Sequence, residues 1–502
     1  MTELTTATFA ETLADRVAEG GRFAGLFGTV APGGVQLSAH LASHGTVHSI
    51  DVLVTGDSYP SVTRRLGAAF WYEREVQDVF GLRPLGHPRP EPLIRPNLNG
   101  ANGPLRPGDG GEPGRAADPD PWLLPRHVRG PGLFTIPHGP VRSGVMESME
   151  YLVETPGEDI PHLNMRVFYK HRGVEKRFEG MPVVEGPDAE GAGKAGAGVL
   201  LAERVEGTAS VAHALAYCHA LERLAGCQVP APARFVRLLH AELERIAGYL
   251  EVAVRLADAA GLAVAVSRFG WHKERVLRLV SRLCGSRFGR GVVRPGGVGG
   301  LPRLPAGDVL AELGSLEKAL RGDAAALMDT SSFLDRLRGT GPLRPERARE
   351  HGALGPIGRA SGFADDPRFA RPYDGYADVG FEAPGTQDTG DALARLRVRV
   401  DELDRSFGLI RSACDGLGRV AGEPVRAECA PVDGRGIGWA EAPQGEVLYD
   451  VRLAGGRIVR CRPRSASFHN LVLMHEVFAG DILTDFPFIE ASFGLSVAGV
   501  SL

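Results

Sequence analysis

Residues 203–226, ERVEGTASVAHALAYCHALERLAG, hold the change of character on which the fold turns. A short stretch puts one carboxylate, Glu206, and two hydroxyls, Thr208 and Ser210, directly before an apolar helical pattern. From Ser210 to Ala225 the apolar Val211, Leu215, Cys218, Leu221 and Leu224 fall within one stripe at helical spacing, and Gly226 supplies a C-cap. The spacing therefore predicts a helix over 210–225 with Glu206 at its mouth. Unpaired N–H groups and the helix dipole stabilise an acid there, so a first-turn cap is the plainest reading. A group that does chemistry is the other.

Working downstream, Pro230 and Pro232 introduce a second helix over 233–259, whose inner face carries Phe235, Leu239, Leu243, Ile246 and Leu250. Further helical patterns cover 267–283, 309–337 and 391–415. The run VLYDVRLAGGRIVRCRPR alternates on both sides of Gly455 and Gly456, a hairpin signal. Upstream, GLFTIPHGPV, MEYLVET and HLNMRVFYKHRG read as strands. Residues 99–130 are dominated by Gly, Pro, Asp and Arg and read as a linker or surface-draped segment, and 186–198 as a loop. Residues 1–98 combine a helical start at 9–18, three strand-like runs (GLFGTVA, VQLSAHLA and HSIDVLVTG) and a helical stretch over 61–80. The fold class is α+β: a small N-terminal α+β domain (1–98), a linker (99–130), and a long-helix bundle with peripheral β strands (131–502).

Composition narrows the function. The 502 residues are 43% hydrophobic and 24% charged with a formal net charge of −4, so no electrostatic argument favours nucleic acid as a partner. The six cysteines form no CxxC pair that could clamp a metal or cluster, and their scatter points to a reducing, intracellular compartment. No stretch approaches the ~20 apolar residues that cross a bilayer, so a partner must hold the chain at any membrane. The glycines of GRGVVRPGGVGG lack the Walker spacing, no GxGxxG follows a strand-like run and opens a helix, and no GxSxG or HExxH occurs. A self-contained hydrolase, kinase or nicotinamide dehydrogenase is disfavoured.

Two further patches concentrate reactive side chains. In FWYEREVQDVFGLRPLGHPRPEPLI (70–94), Glu73, Arg74, Glu75 and Asp78 crowd a helix that Gly81 and Pro84 end, and Pro88, Pro90 and Pro92 extend the tail. Residues alone favour a charged, capped helix end on the surface. In residues 136–180, His138, Arg142 and Glu147 lie near a loop between strands, and Tyr169, Lys170, His171, Arg172, Glu175 and Lys176 cluster before a short helix. Such groups either carry protons at shifted pKa values or form an ion-pair network.

These motifs, taken in order, resemble a known family. Glu73, Arg74, Glu75, Asp78, Phe80, Gly81, Gly86, His87 and Pro88 are similar to the signature of the C subunit of NADH:quinone oxidoreductase, respiratory complex I. GPVRSGVMES, YKHRGVEKRFEG, the 203–226 stretch and LLHAELERIAGYL look like landmarks of its D subunit and of the large subunits of group 4 membrane-bound [NiFe] hydrogenases. LGPIGRASGFADDPR, YADVGF and GWAEAPQGE continue the pattern. A C-type domain fused to a D-type domain resembles the formate hydrogenlyase layout. The resemblance implies a hydrogenase-large-subunit-like bundle in a membrane-associated, energy-converting oxidoreductase complex, with the NAD and quinone binding of NADH:quinone oxidoreductase. The implied partners are a B-type iron-sulfur small subunit, which holds the cluster, a ferredoxin-like iron-sulfur subunit and membrane antiporter-like subunits, at the cytoplasmic face of the cell membrane.

The departures from the family matter as much. The positions of the four hydrogenase metal thiolates fall on Glu206, Ala209, Ser492 and Leu495. A nickel-iron pair needs soft thiolate ligands, so no metal site and no hydrogenase activity are expected. The tyrosine of the complex I quinone site falls on Gly207, and its histidine loop is shortened, leaving Arg142 and Ser143 nearby. The resemblance thus makes the surroundings of Glu206 an acceptor cavity with Gly207, Thr208, His138 and Ser492 as neighbours, no cofactor bound by the chain, and quinone as the acceptor. Glu206, Arg142, Glu147, His171 and Arg172 are the candidate proton-handling residues. The alternative is a scaffold that kept the interfaces and lost the chemistry.

Overall fold

The computed structural model describes residues 5–94, 104–105, 127–128, 130–142, 147–183 and 196–502. Most of the 99–130 segment, most of 186–198, and Ser143 lie outside the described residues.

The N-terminal domain opens with the helix Thr6–Ala18, whose Thr5 cap and Thr8 bond each other reciprocally. An antiparallel meander follows, Arg22–Ala31, Gly34–Ser43 and Thr46–Val54. The helix expected over 61–80 is shorter than its pattern. Residues 61–66 are not helical, a single tight turn spans Gly67–Ala69, and the helix proper is Phe70–Phe80, ended by Gly81 in the left-handed conformation. The cause is Glu73, fully buried, which takes the hydroxyls of Ser61 and Thr63 at 2.6 Å and the N–H groups of Val62 and Thr63 at 2.8 and 3.0 Å. Those donors are spent on a side chain and not on a helical ladder.

The same bonds overturn the surface reading of the 70–94 patch. Glu73, Arg74, Glu75 and Asp78 are all buried. Arg74 donates to the carbonyls of Glu91 and Pro92, Asp78 accepts from Leu93 and Ile94 N–H, and His87 bonds the Phe70 carbonyl and stacks on its ring. Pro88 lies in the tail that these bonds hold against the helix. A buried charge survives when its lone pairs or protons are matched; Arg74 and Asp78 are matched within this stretch, Glu73 by residues 61–63, and Glu75 by Arg462 of the second domain.

The second domain begins with an antiparallel sheet, Phe134–His138, Glu150–Thr155 and His162–Arg166. The bundle comprises Ser210–Ala225, Ala231–Ala259, Ala263–Cys284, Ala306–Met328 and Ala392–Arg419. The 309–337 pattern is two helices, because Asp329 and the extended Thr330 break the chain before Ser331–Leu337. Phe235, Leu239, Leu243, Ile246 and Leu250 all face the core. Behind the bundle lies a second antiparallel sheet, Gly434–Ala442, Gly445–Ala454 and Arg457–Arg464, with Gly455 and Gly456 at the second turn. Ser210–Ala225 packs flush on its first strand because residue 438 is glycine: a Cβ there would collide with the Ala216 carbonyl.

The N-terminal domain docks on this rear sheet through buried polar contacts. Arg462 meets Glu75 at 2.5 Å, Tyr72 lies 2.7 Å from His469 Nδ1, and Arg22 reaches Glu446 at 2.8 Å and also pairs with Asp365. Among the described residues no helix is long and apolar enough to cross a membrane.

Candidate functional site

Glu206 sits in the turn before the Ser210–Ala225 helix and is 1% exposed. It is not that helix's cap. The N–H groups of Val211 and Ala212 donate instead to Glu244, from the Ala231–Ala259 helix, at 2.7 and 3.0 Å. Burial pushes the Glu244 carboxyl up to about 8 despite those bonds. The Glu206 carboxylate is free for other partners. It accepts the hydroxyls of Ser467 and Thr208 at 3.1 and 3.3 Å and lies 3.5 Å from His213 Nε2. His213 stands in the first turn of the helix, and its Nδ1 lies 2.9 Å from the Tyr449 hydroxyl on the rear sheet. Burial raises the Tyr449 phenol well above its ordinary range. Carboxylate, imidazole and phenol form one buried line between the turn and the sheet.

The C-terminal segment closes over this line. Gly499 approaches so near that a Cβ on it would strike the Glu206 carboxylate. Glu147 holds the start of the Val497–Ser501 helix, accepting the Ser496 hydroxyl at 2.7 Å and the N–H groups of Val497 and Ala498. Arg172 donates to the carbonyls of Val205 and Ala498 at 2.6 and 2.8 Å, and His171 Nδ1 lies 2.6 Å from the Ser501 carbonyl. Burial lowers the Arg172 pKa, and the nearby Glu147 and Glu206 carboxylates oppose the shift. Ser467 ties Glu206 to the segment that Glu147 holds, donating to Glu206 while accepting Ser496 N–H at 3.1 Å. Glu206, Glu147, His171 and Arg172 therefore surround one short helix.

Arg142, His138 and Ser492 find other partners. Arg142 pairs with Glu490 at 2.7 Å and lies over the Tyr151 ring, whose hydroxyl donates to the same carboxylate at 2.9 Å. His138 packs edge-on to Phe486. Ser492 accepts Arg395 Nε at 3.0 Å and donates to the Ile489 carbonyl. Gly207 and Thr208 are exposed, and no atom lies within 4 Å of where a Gly207 Cβ would stand.

The residues that sequence reasoning missed are His213, Tyr449, Ser467 and Glu244. The first carried a signal, since it falls in the opening turn of the very helix that Glu206 precedes. The others come from elements remote in sequence. A nickel-iron site does not fit the four aligned positions. Glu206 is a hard carboxylate, Ser492 is engaged with Arg395, Ala209 is buried and Leu495 packs on the core. Among the described residues no group of three or more His, Cys, Asp or Glu is placed to hold a metal ion.

The fold is similar to two modules of respiratory complex I carried on one chain. Residues 6–108 match the family "Respiratory-chain NADH dehydrogenase, 30 Kd subunit", and residues 261–434 match "Respiratory-chain NADH dehydrogenase, 49 Kd subunit". The chain has the fused C/D-type fold of complex I and is similar to group 4 hydrogenase large subunits. It is 29% identical over 88% of its length to formate hydrogenlyase subunit 5 of Escherichia coli (strain K12), spanning 77% of that protein. It is 28% identical to the fused C/D subunit of NADH-quinone oxidoreductase from Rhodopseudomonas palustris (strain BisB5), over 79% of this chain and 69% of that one. A chain of the membrane-bound sulfane sulfur reductase, an archaeal respiratory membrane complex, superposes with a TM-score of 0.67 at 24% identity, covering 74% of this chain and 99% of that chain. This last likeness is one of fold.

Proposed function

We propose that the chain is the large, catalytic-type subunit of a membrane-associated, energy-converting oxidoreductase complex related to complex I and group 4 hydrogenases. In this reading an iron-sulfur cluster in a B-type small subunit delivers electrons to a quinone-like acceptor beside Gly207 and Glu206. A ferredoxin-like iron-sulfur subunit feeds that cluster, and antiporter-like membrane subunits hold the chain at the cytoplasmic face. The supporting relatives are subunits of NADH-quinone oxidoreductase and of formate hydrogenlyase, and the four positions aligned with nickel-iron thiolates carry no thiol.

The observation that carries the reading is the line Glu206, His213, Tyr449. Reduction of a quinone consumes two protons with two electrons; a carboxylate, an imidazole and a phenol in line can hold such protons, and a shift that closes the 3.5 Å gap between Glu206 and His213 Nε2 would let them pass without bulk water. In this reading the head group would lie against the turn at Gly207, which is exposed and has open space at its Cβ position. Glu147, Arg172 and His171 position the segment that covers the line.

The test is acceptor reduction by the purified complex, native against Glu206→Gln, with metal analysis alongside. A tenfold or greater loss of rate, reported as kcat with KM little changed, supports proton delivery by Glu206. The enclosure of Glu206 beneath Gly499 favours a second reading, a scaffold. No reduction in either protein supports that one, equal rates leave Glu206 a structural remnant, and stoichiometric nickel overturns both.

A further inference from the structure

All six cysteines are free thiols. Cys218, Cys414 and Cys461 are buried in the apolar core, and Cys284, half-buried, donates its thiol to the carbonyls of Val280 and Ser286. The remaining two, Cys227 and Cys429, meet each other, their side chains joined by a hydrogen bond. About 200 residues of chain separate them, so no local spacing marks the pair.

The backbone brings the two together through Glu222 and Gly296. Cys227 follows Gly226, the left-handed glycine that ends the Ser210–Ala225 helix, and its N–H bonds the Glu222 carbonyl at 2.9 Å. The Glu222 side chain, held by Arg237 at 2.5 Å, accepts Gly296 N–H at 2.9 Å from the turn of a short hairpin, Val293–Arg294 and Gly297–Val298. Residues 425–427 run along that hairpin: Val298 N–H donates to the Val425 carbonyl at 3.1 Å and Ala427 N–H to the Gly296 carbonyl at 2.9 Å. Cys429 comes next, its Cβ 3.1 Å from where a Gly296 Cβ would stand. Both cysteines are half-buried and lie outside helix and strand. A small oxidant can therefore reach them, and side-chain rotation with a slight loop shift can take two touching thiols to a bond.

We propose that Cys227 and Cys429 form a reversible redox pair, closed to a disulfide by a peroxide and reopened by a low-molecular-weight thiol. Their shared hydrogen bond favours the thiolate on Cys227 and the protonated thiol on Cys429, and burial pushes the Cys429 thiol up to about 12. Cys227 therefore reacts first. Its thiolate attacks one oxygen of hydrogen peroxide, the O–O bond breaks, and a sulfenic acid and hydroxide form. The Cys429 sulfur then attacks the sulfenic sulfur and expels a second hydroxide. The two hydroxides take up the protons that the two thiols give, so the thiols lose two electrons and the peroxide leaves as two waters. Burial and the Glu222 charge also raise the Cys227 pKa, so closure is slow near neutral pH and quickens as pH rises. Reopening takes two electrons from two small thiols, which leave as their own disulfide. The bond pins the C-terminal end of the Ser210–Ala225 helix to the segment that enters the rear sheet at Gly434. It is independent of the function proposed for Glu206.

The test treats the purified complex, reduced and then freed of reductant, with hydrogen peroxide. Remaining thiols are blocked with iodoacetamide, and peptides are mapped by mass spectrometry without reduction. The expected product is one cross-linked pair joining Cys227 to Cys429, lighter than its two parts by two hydrogens, formed faster at higher pH and reversed by glutathione. In Cys429→Ser the reaction stops at a sulfenic acid on Cys227, which dimedone traps, and in Cys227→Ser the Cys429 thiol survives the same dose. The parent protein alone decides the bond, whether or not the variants fold. Recovery of both cysteines as thiols, at a dose that fully oxidises free cysteine in the same solution, overturns the proposal, as does a cross-link from either one to another cysteine in place of this pair. A sulfenic acid on Cys429 and none on Cys227 overturns the assigned roles.

Discussion

Gly499 decides where the Glu206 carboxylate can be. A methyl group at 499 would collide with that carboxylate and lie 3.0 Å from Ser465 Oγ. The far end of a glutamate side chain moves cheaply, so the strain relaxes by displacing the carboxylate from His213 and Ser467 and not by unfolding the helix. Gly499→Ala is therefore expected to leave the melting temperature within about 2 °C of the parent while lowering acceptor reduction about as far as Glu206→Gln does. An unchanged rate with unchanged stability would sink the placement of Glu206 beside the acceptor. At this scale the sequence was half legible. It marked Glu206 as unusual, but it could not tell a cap from a free acid, because the carboxylate that caps the helix, Glu244, comes from the next helix.

Elements in the bundle are tied by a buried network that no local pattern announces. Arg245, Arg359 and Arg368 share four carboxylates, Glu242, Asp366, Glu402 and Glu441, contributed by the Ala231–Ala259 and Ala392–Arg419 helices, the loop at 366 and the rear sheet. Four carboxylates crowd these three guanidinium groups, which favours a proton on the acid least well compensated. Glu441 is that acid: burial, and then the neighbouring Asp366 charge, push its pKa up to about 7. Between its unfolded value near 4.5 and about 7, the native chain keeps a proton that the unfolded chain has lost, so this group's contribution to stability falls as pH rises through that window. Glu441→Gln removes the slope, and its melting temperature relative to the parent is expected to climb by roughly 2 °C or more from pH 5 to pH 8. Glu402→Gln, by contrast, strips a needed charge from Arg359 and Arg368 and should cost about 3 kcal/mol at pH 7. Thermal melts of the two variants across pH check both; a Glu441→Gln curve parallel to the parent's would refute the assignment of the proton. Helix 210–225 and the Gly455–Gly456 hairpin were readable because their determinants are periodic and local. The networks were not, since most of their members stand far apart in the chain.

Across the whole molecule, the domain junction is set by charge as well as by apolar packing. The sequence separates a small α+β unit from a helix bundle, yet gives no sign that the two share buried ion pairs, because a lone arginine in a strand looks like any solvated one. Arg22, on the first strand of the N-terminal domain, is buried against Asp365 and Glu446, which also meets Arg371 at 2.9 Å and Arg464 at 2.5 Å. The two acids hold the Arg22 guanidinium charged despite its burial. Removing one partner from such a cluster strands the others away from water, typically at about 3–5 kcal/mol. Glu446 keeps two arginines, so Arg22→Ala should sit at the low end, about 3 kcal/mol. The loss falls on the junction itself. Limited proteolysis at rising urea is expected to release an N-terminal fragment from Arg22→Ala at a lower concentration than from the parent. If the fragment appears at the same urea concentration in both proteins, the ion pairs at the junction contribute nothing measurable and the docking rests on apolar contact alone.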